Sequence, residues 1–99
     1  MEVQIKDNKI FAPLKDKWLV LKPEEKVRQE YICRLVNSYG FDLKQMDQDS
    51  KVQGIYLNYS ILIWKNKNSK INNESPLIVI QCKADSVIIK KEDYFKGLD

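Results

Sequence analysis

Histidine is absent from this chain of 99 residues, and its two cysteines, Cys33 and Cys82, stand far apart and outside any CxxC pair. Without histidine, Ser-His-Asp and Cys-His catalysis are excluded. Without clustered cysteine or histidine, an ordinary structural zinc site is excluded as well. Two isolated thiols read as buried residues in a reducing cytosol. No run reaches the ~18 apolar residues of a membrane span. The opening Met1-Glu2-Val3-Gln4-Ile5-Lys6 lacks the apolar stretch of a signal peptide, so the expected location is the cytoplasm. There is no internal repeat and no GxxxxGK[ST] phosphate loop. If the chain has an enzymatic activity, carboxylates, lysine and a hard metal ion are what remain to carry it.

Hydrophobic residues make up 43% of the chain, enough for one modest core. A single domain over 1–99 is therefore expected. Lys and Arg number 17 against 14 Asp and Glu, with the signs interspersed. The resulting net charge of +3 is too small an excess to establish a polyanionic partner.

Residues 1–22 read as a leader of short extended pieces: 3–5, 10–11 and 18–21, interrupted at Pro13. Trp18-Leu19-Val20-Leu21 is apolar enough to pack the leader on the core. The spacing predicts a helix over 23–39. Pro23 suits the first helical position, and Glu24 and Glu25 complement the positive end of the helix dipole. Val27, Tyr31, Leu35 and Tyr39 form a stripe widened by Ile32 and Val36, and Gly40 is a natural stop. Lys22 is a weak N-cap. Residues 41–50 read as irregular. Strands are predicted over 51–56, 57–64 and 76–84, the last two apolar on both faces as central strands are. Residues 65–75, polar except for Ile71, read as a long solvated hairpin loop. A final helix is expected to start near Lys91 and to be cut at Asp99. The class is α/β, a mixed central sheet flanked by helices, with a core of Val27, Tyr31, Leu35, Ile61, Ile63, Ile78 and Ile80.

Chemistry concentrates at the end of the last predicted strand, where Leu77 to Ile80 give way to Gln81-Cys82-Lys83. Strand alternation puts Gln81 and Lys83 on one face and Cys82 on the other. The alternative is a strand simply emerging into solvent. If the two apolar strands pair antiparallel with Trp64 opposite Leu77, Ser60 faces Gln81. By itself Ser60 also reads as a small polar residue tolerated in a strand. Glu30 flanks the helix stripe. Its plainer reading is a surface glutamate paired with Arg34 at i+4.

The run Trp18-Leu19-Val20-Leu21-Lys22-Pro23-Glu24-Glu25-Lys26-Val27-Arg28-Gln29-Glu30 resembles the segment that opens the N-terminal domain of type I restriction enzyme R proteins. Ile78-Val79-Ile80-Gln81-Cys82-Lys83-Ala84 resembles that family's strand ending in Ile-x-Glu/Gln-Cys-Lys-Ala. Asn58-Tyr59-Ser60-Ile61-Leu62-Ile63 stands where the family has an Arg-x-Asp-Ile-like strand. The resemblance covers about residues 10–99, and the two outer motifs are specific in combination. It implies a restriction-endonuclease-like PD-(D/E)XK core, Mg²⁺-dependent cleavage of DNA, and restriction-modification subunits as partners. Carried over, Glu30 is the helix glutamate, Gln81 the Glu/Gln position and Lys83 the lysine. The Cys82 backbone carbonyl is a further metal ligand.

Two departures qualify that implication. Ser60 stands where the family has aspartate, which removes a negative oxygen from a site built for a hard ion. Gln81 offers only a neutral amide, so weak metal binding and little or no cleavage are expected. The chain also stops before the final strand and helix of such a core. The other reading is a non-catalytic module that keeps the fold and contacts DNA weakly, or contacts another subunit.

Overall fold

The computed structural model describes residues 1–49, 51–52 and 55–91. It begins with a small antiparallel sheet of β1 (Ile5–Lys6), β2 (Lys9–Ala12) and β3 (Lys17–Val20). The leader does pack on the rest of the chain, but through a different piece from the one expected. Ile10 and Ala12 of β2 are fully buried, whereas Trp18 and Val20 of β3 are exposed. Trp18 instead packs edge-on against Phe11, ring centroids 5.4 Å apart.

The helix α1 (Pro23–Asn37) follows, with Pro23 in its first turn and no side-chain cap from Lys22. Its inward face is rotated from the expected stripe. Glu25, Arg28, Gln29, Ile32 and Leu35 are buried, Val27 and Tyr31 only partly so, and Tyr39 is exposed. Gly40 at φ +75° reverses the chain, and the Phe41 N–H then bonds the Leu35 carbonyl at 3.0 Å.

The main sheet has the order β4-β7-β8-β9, with β4 at Met46–Gln48, β7 at Ser60–Ile63, β8 at Ile78–Cys82 and β9 at Val87–Lys91. Among the described residues every strand pair is antiparallel. A side hairpin joins β5 (Lys51–Val52) to β6 (Ile55–Tyr56). The α/β class stands as expected, and so does the register of the two central strands. Ser60 pairs with Gln81, Ile61 with Ile80, Leu62 with Val79 and Ile63 with Ile78.

Four segments differ from expectation, the first being residues 51–56, where the single expected strand is replaced by β5 and β6 paired with each other. Residues 41–50 contain a 3-10 turn at Leu43–Gln45 and the strand β4. Residues 65–75 contain the short helix α2 (Lys67–Ile71), capped by the Asn66 side chain accepting from the Ser69 N–H at 2.8 Å. Residues 87–91 are strand, and the helix expected from Lys91 onward falls outside the described residues.

Alternation along β7 and β8 divides the interior. Ile61, Ile63, Ile80 and Cys82 meet Ile32 and Leu35 of α1 in the main core, with Met46 of β4. Leu62, Trp64 and Val79 form a second cluster on the opposite face. Of the expected core, Leu35, Ile61, Ile63 and Ile80 are buried, and Val27, Tyr31 and Ile78 pack at its margin.

Candidate functional site

One end of the sheet gathers the buried polar residues other than Ser69 of α2. α1 contributes Glu25, Arg28 and Gln29, one helical turn apart and facing inward. β4 contributes Gln48 and, just past its end, Asp49. β7 begins there with Ser60, preceded by Tyr59. Both Asp49 (φ 58°) and Tyr59 (φ 53°) take the left-handed conformation, which costs side-chain-bearing residues free energy and needs surrounding contacts to hold it.

Those contacts converge on Arg28, whose side chain is 2% exposed. Its Nε donates to Glu25 Oε2 at 2.8 Å and its Nη2 to Glu25 Oε1 at 2.6 Å, a two-pronged pairing. Nη1 donates to Asp49 Oδ1 at 2.6 Å and reaches the Ser60 carbonyl at 3.4 Å. The guanidinium carbon lies 5.4 Å from the centroid of the Tyr59 ring. Burial works to lower the Arg28 pKa, but the bonds to Glu25 and Asp49 outweigh it and hold the group still more firmly protonated. Around this pairing, Gln29 Nε2 donates to Glu25 Oε2 at 2.9 Å and to Gln48 Oε1 at 3.3 Å. The Tyr56 hydroxyl donates to Asp49 at 3.3 Å. Gln29 Oε1, Gln48 Nε2 and Ser60 Oγ are buried without a hydrogen-bond partner among the described residues.

Ser60 and Gln81 are directly opposed across the β7–β8 pair. Alternation turns both toward the face of Leu62 and Val79, away from α1. Cys82 turns the other way, into the core, where burial pushes its thiol up to about 11. It is paired with Val87, and its N–H bonds the Tyr59 carbonyl at 3.0 Å. Lys83 is exposed at the start of the β8–β9 turn, which its N–H closes onto the Ser86 carbonyl at 2.7 Å.

Glu30 is exposed on α1 and its carboxylate lies 3.9 Å from the Lys26 ammonium, not against Arg34. Arg34 instead lies over the Tyr31 ring at 5.7 Å. Glu30 lines a groove of about 440 Å³ with Leu21, Lys26, Val27 and Ala84, next to the β8–β9 turn. Ser60 is thus opposed to Gln81 in the sheet, and Glu30 shares its groove with Ala84. The buried carboxylate on α1 is Glu25, one turn before Glu30.

The residue pattern held the signal for Glu25, Arg28 and Gln29. They extend the Ile32–Leu35 face backward at i, i+3 and i+4 spacing, a stripe that a search for apolar residues alone does not follow. Gln48 and Asp49 carried no comparable signal, because Met46-Asp47-Gln48 is a strand of only three residues with little apolar pattern.

A divalent cation requires anionic oxygens that are free to turn toward it. Here the Glu25 carboxylate and Asp49 Oδ1 are engaged by a buried guanidinium, and the Ser60–Gln81 pair supplies only neutral groups. Among the described residues, no three Cys, Asp or Glu side chains are grouped to hold a metal ion. The described residues of this corner do not fit Mg²⁺.

Fold and corner together define a small α/β domain whose helix and sheet end enclose an ionised, hydrogen-bonded polar cluster. The chain belongs to the family of the type I restriction enzyme R protein N terminus, which it matches over residues 23–98. No curated protein and no solved structure matches it. No helix among the described residues is long and apolar enough to cross a membrane.

Proposed function

We propose that this chain is a non-cleaving member of the R protein N-terminal family. On this reading it keeps a nuclease-type fold and acts in the cytoplasm as an interaction module toward other restriction-modification subunits, with weak electrostatic contact to DNA. The observation that carries the reading is Ser60 paired with Gln81. In a PD-(D/E)XK nuclease these two strand positions supply metal-binding carboxylates, and here both are uncharged. Water activation by a hard ion needs negative oxygen around it, and the carboxylates of the neighbouring corner, buried Glu25 and partly exposed Asp49, are paired with Arg28. Lys83, the lysine position, is exposed to solvent.

The interaction role has its own support. Tyr39 and Ile89 are exposed large hydrophobic residues lining an apolar groove of about 320 Å³ with Tyr31, Phe41 and Ile78. Exposed apolar surface of that kind marks contact sites. The test is a nicking assay on supercoiled plasmid with the purified full chain in Mg²⁺ and in Mn²⁺. No nicking above a mock preparation is expected. Metal-dependent nicking that follows the protein through purification, and is lost in Lys83→Ala, overturns the proposal.

A further inference from the structure

The groups around Arg28 are suited to holding a cation. Four oxygens face the guanidinium: both of Glu25, one of Asp49 and the Ser60 carbonyl, at 2.8, 2.6, 2.6 and 3.4 Å from the donating nitrogens. All are hard oxygen donors, and two residues among them are anionic, as a divalent cation prefers. Arg28 and Glu25 are only 1% and 4% exposed, while the Asp49 side chain is 34% exposed. Gln29, bonded to the same Glu25 through its amide N–H, keeps a buried carbonyl oxygen without a partner among the described residues.

We propose that the Arg28 guanidinium is the resident cation of this corner and that it makes the fold independent of divalent metals. The proposal deepens the non-cleaving reading, which likewise has no metal held by the native chain. Its physical basis is charge and tethering. A buried carboxylate, Glu25, with a second, partly exposed one, Asp49, on the same guanidinium is costly to leave without a countercharge. A guanidinium supplies it permanently, since it does not deprotonate and its planar fork matches a carboxylate. Being covalently part of α1, it needs no free ion concentration. Once it is present, the carboxylate oxygens are used and its positive charge repels a metal ion. Once it is removed, the same oxygens face one another with no cation, and either a divalent ion or a free guanidinium can stabilise them.

The experiment uses the full-length chain, its Arg28→Ala and Arg28→Lys variants, and the double variant Arg28→Ala/Glu25→Gln. Thermal unfolding is followed by circular dichroism in EDTA, MnCl₂, methylguanidinium chloride and NaCl of matched ionic strength. The native chain and Arg28→Lys, each with its own cation, should melt at the same temperature in EDTA and in Mn²⁺. Arg28→Ala should melt lower, and Mn²⁺ or methylguanidinium should restore several degrees that NaCl does not. In the double variant that recovery should be lost. If Arg28→Ala is unfolded throughout, recovery of its helical signal on adding either cation is the readout. An Arg28→Ala chain that responds to neither cation overturns the proposal, as does saturable Mn²⁺ stabilisation of the native chain. Either result leaves the non-cleaving reading standing if the plasmid stays intact, so the two can fail separately.

Discussion

Arg28 and Glu30 sit two residues apart on one helix and differ in nearly everything that decides their energetic weight. Arg28 is buried among carboxylates, so truncating it leaves at least one buried charge uncompensated. Arg28→Met should cost ~3–5 kcal/mol in urea unfolding. Glu30 meets Lys26 at 3.9 Å on an exposed surface, where ion pairs contribute little, and Glu30→Gln should shift stability by less than ~0.5 kcal/mol in the same measurement. Cys82 gives a pH dependence whose sign is determined by burial. Its thiol titrates at about 11 when folded against 9.0 for a free thiol. The unfolded chain therefore ionises first as pH rises. The stability contributed by the neutral buried thiol is complete below pH 9 and is lost toward pH 11. That loss is on the order of 2–3 kcal/mol. Denaturant midpoints of the native chain and Cys82→Ala, measured across this range, should converge as the pH rises.

At the scale of elements, β8 is the centre of the architecture. It pairs with β7 on one side and β9 on the other, and Ile80 faces α1 in the main core. Ile80→Ala should cost ~2–5 kcal/mol, because the methyl groups it removes leave a cavity that neighbours on both strands cannot fill. A loss under ~1 kcal/mol would contradict a central β8. Gly40 is a different case. A Cβ there would meet nothing within 4 Å, so the only penalty is its φ of +75°. Gly40→Ala should cost about 1 kcal/mol by the same assay. The helix α1 and the strands β7 and β8 were legible because their apolar residues follow a helical period or a continuous run. β9 was also legible in principle, since Val87-Ile88-Ile89 is a β-branched run after a polar turn, yet the lysines beyond it drew attention to a helix start. β4 was not legible: its Gln48 is fully buried against α1, and only that contact makes a polar residue an interior one.

At the scale of the whole molecule, the net charge of +3 leaves any contact with DNA shallow. Lys65 and Lys67 are exposed, but Lys70 donates to the Met46 carbonyl at 2.7 Å and helps tie α2 to β4. The loop after β7 thus offers fewer free ammonium groups than its sequence suggests. Binding to a labelled duplex, followed by anisotropy, should weaken steeply with salt, with a slope of roughly −0.9 per phosphate neutralised. Sequence-selective, salt-independent binding would contradict an electrostatic contact. Lys65→Ala/Lys67→Ala should lower the slope while leaving the melting temperature unchanged.

By itself the sequence determined the class of the domain, the family and the helix from Pro23, and it favoured the register of its two central strands. The family follows from the motifs at 18–30 and 78–84, and the others from local spacing or from alignment of two long apolar runs, where a slip of one residue would expose a whole hydrophobic face. The sequence offered Ser60 opposite Gln81 as one candidate register, which the structure bears out. Only the tertiary structure decided which carboxylate on α1 turns inward, because Glu25 and Glu30 differ by the rotation of the helix on the sheet and not by any property of glutamate. Only the tertiary structure brought Asp49 to Arg28, since a charge pair between a helix and a distant strand end leaves no periodic trace along the chain. The corner is therefore an ionic cluster assembled by packing, and its chemistry is set by the Arg28 guanidinium.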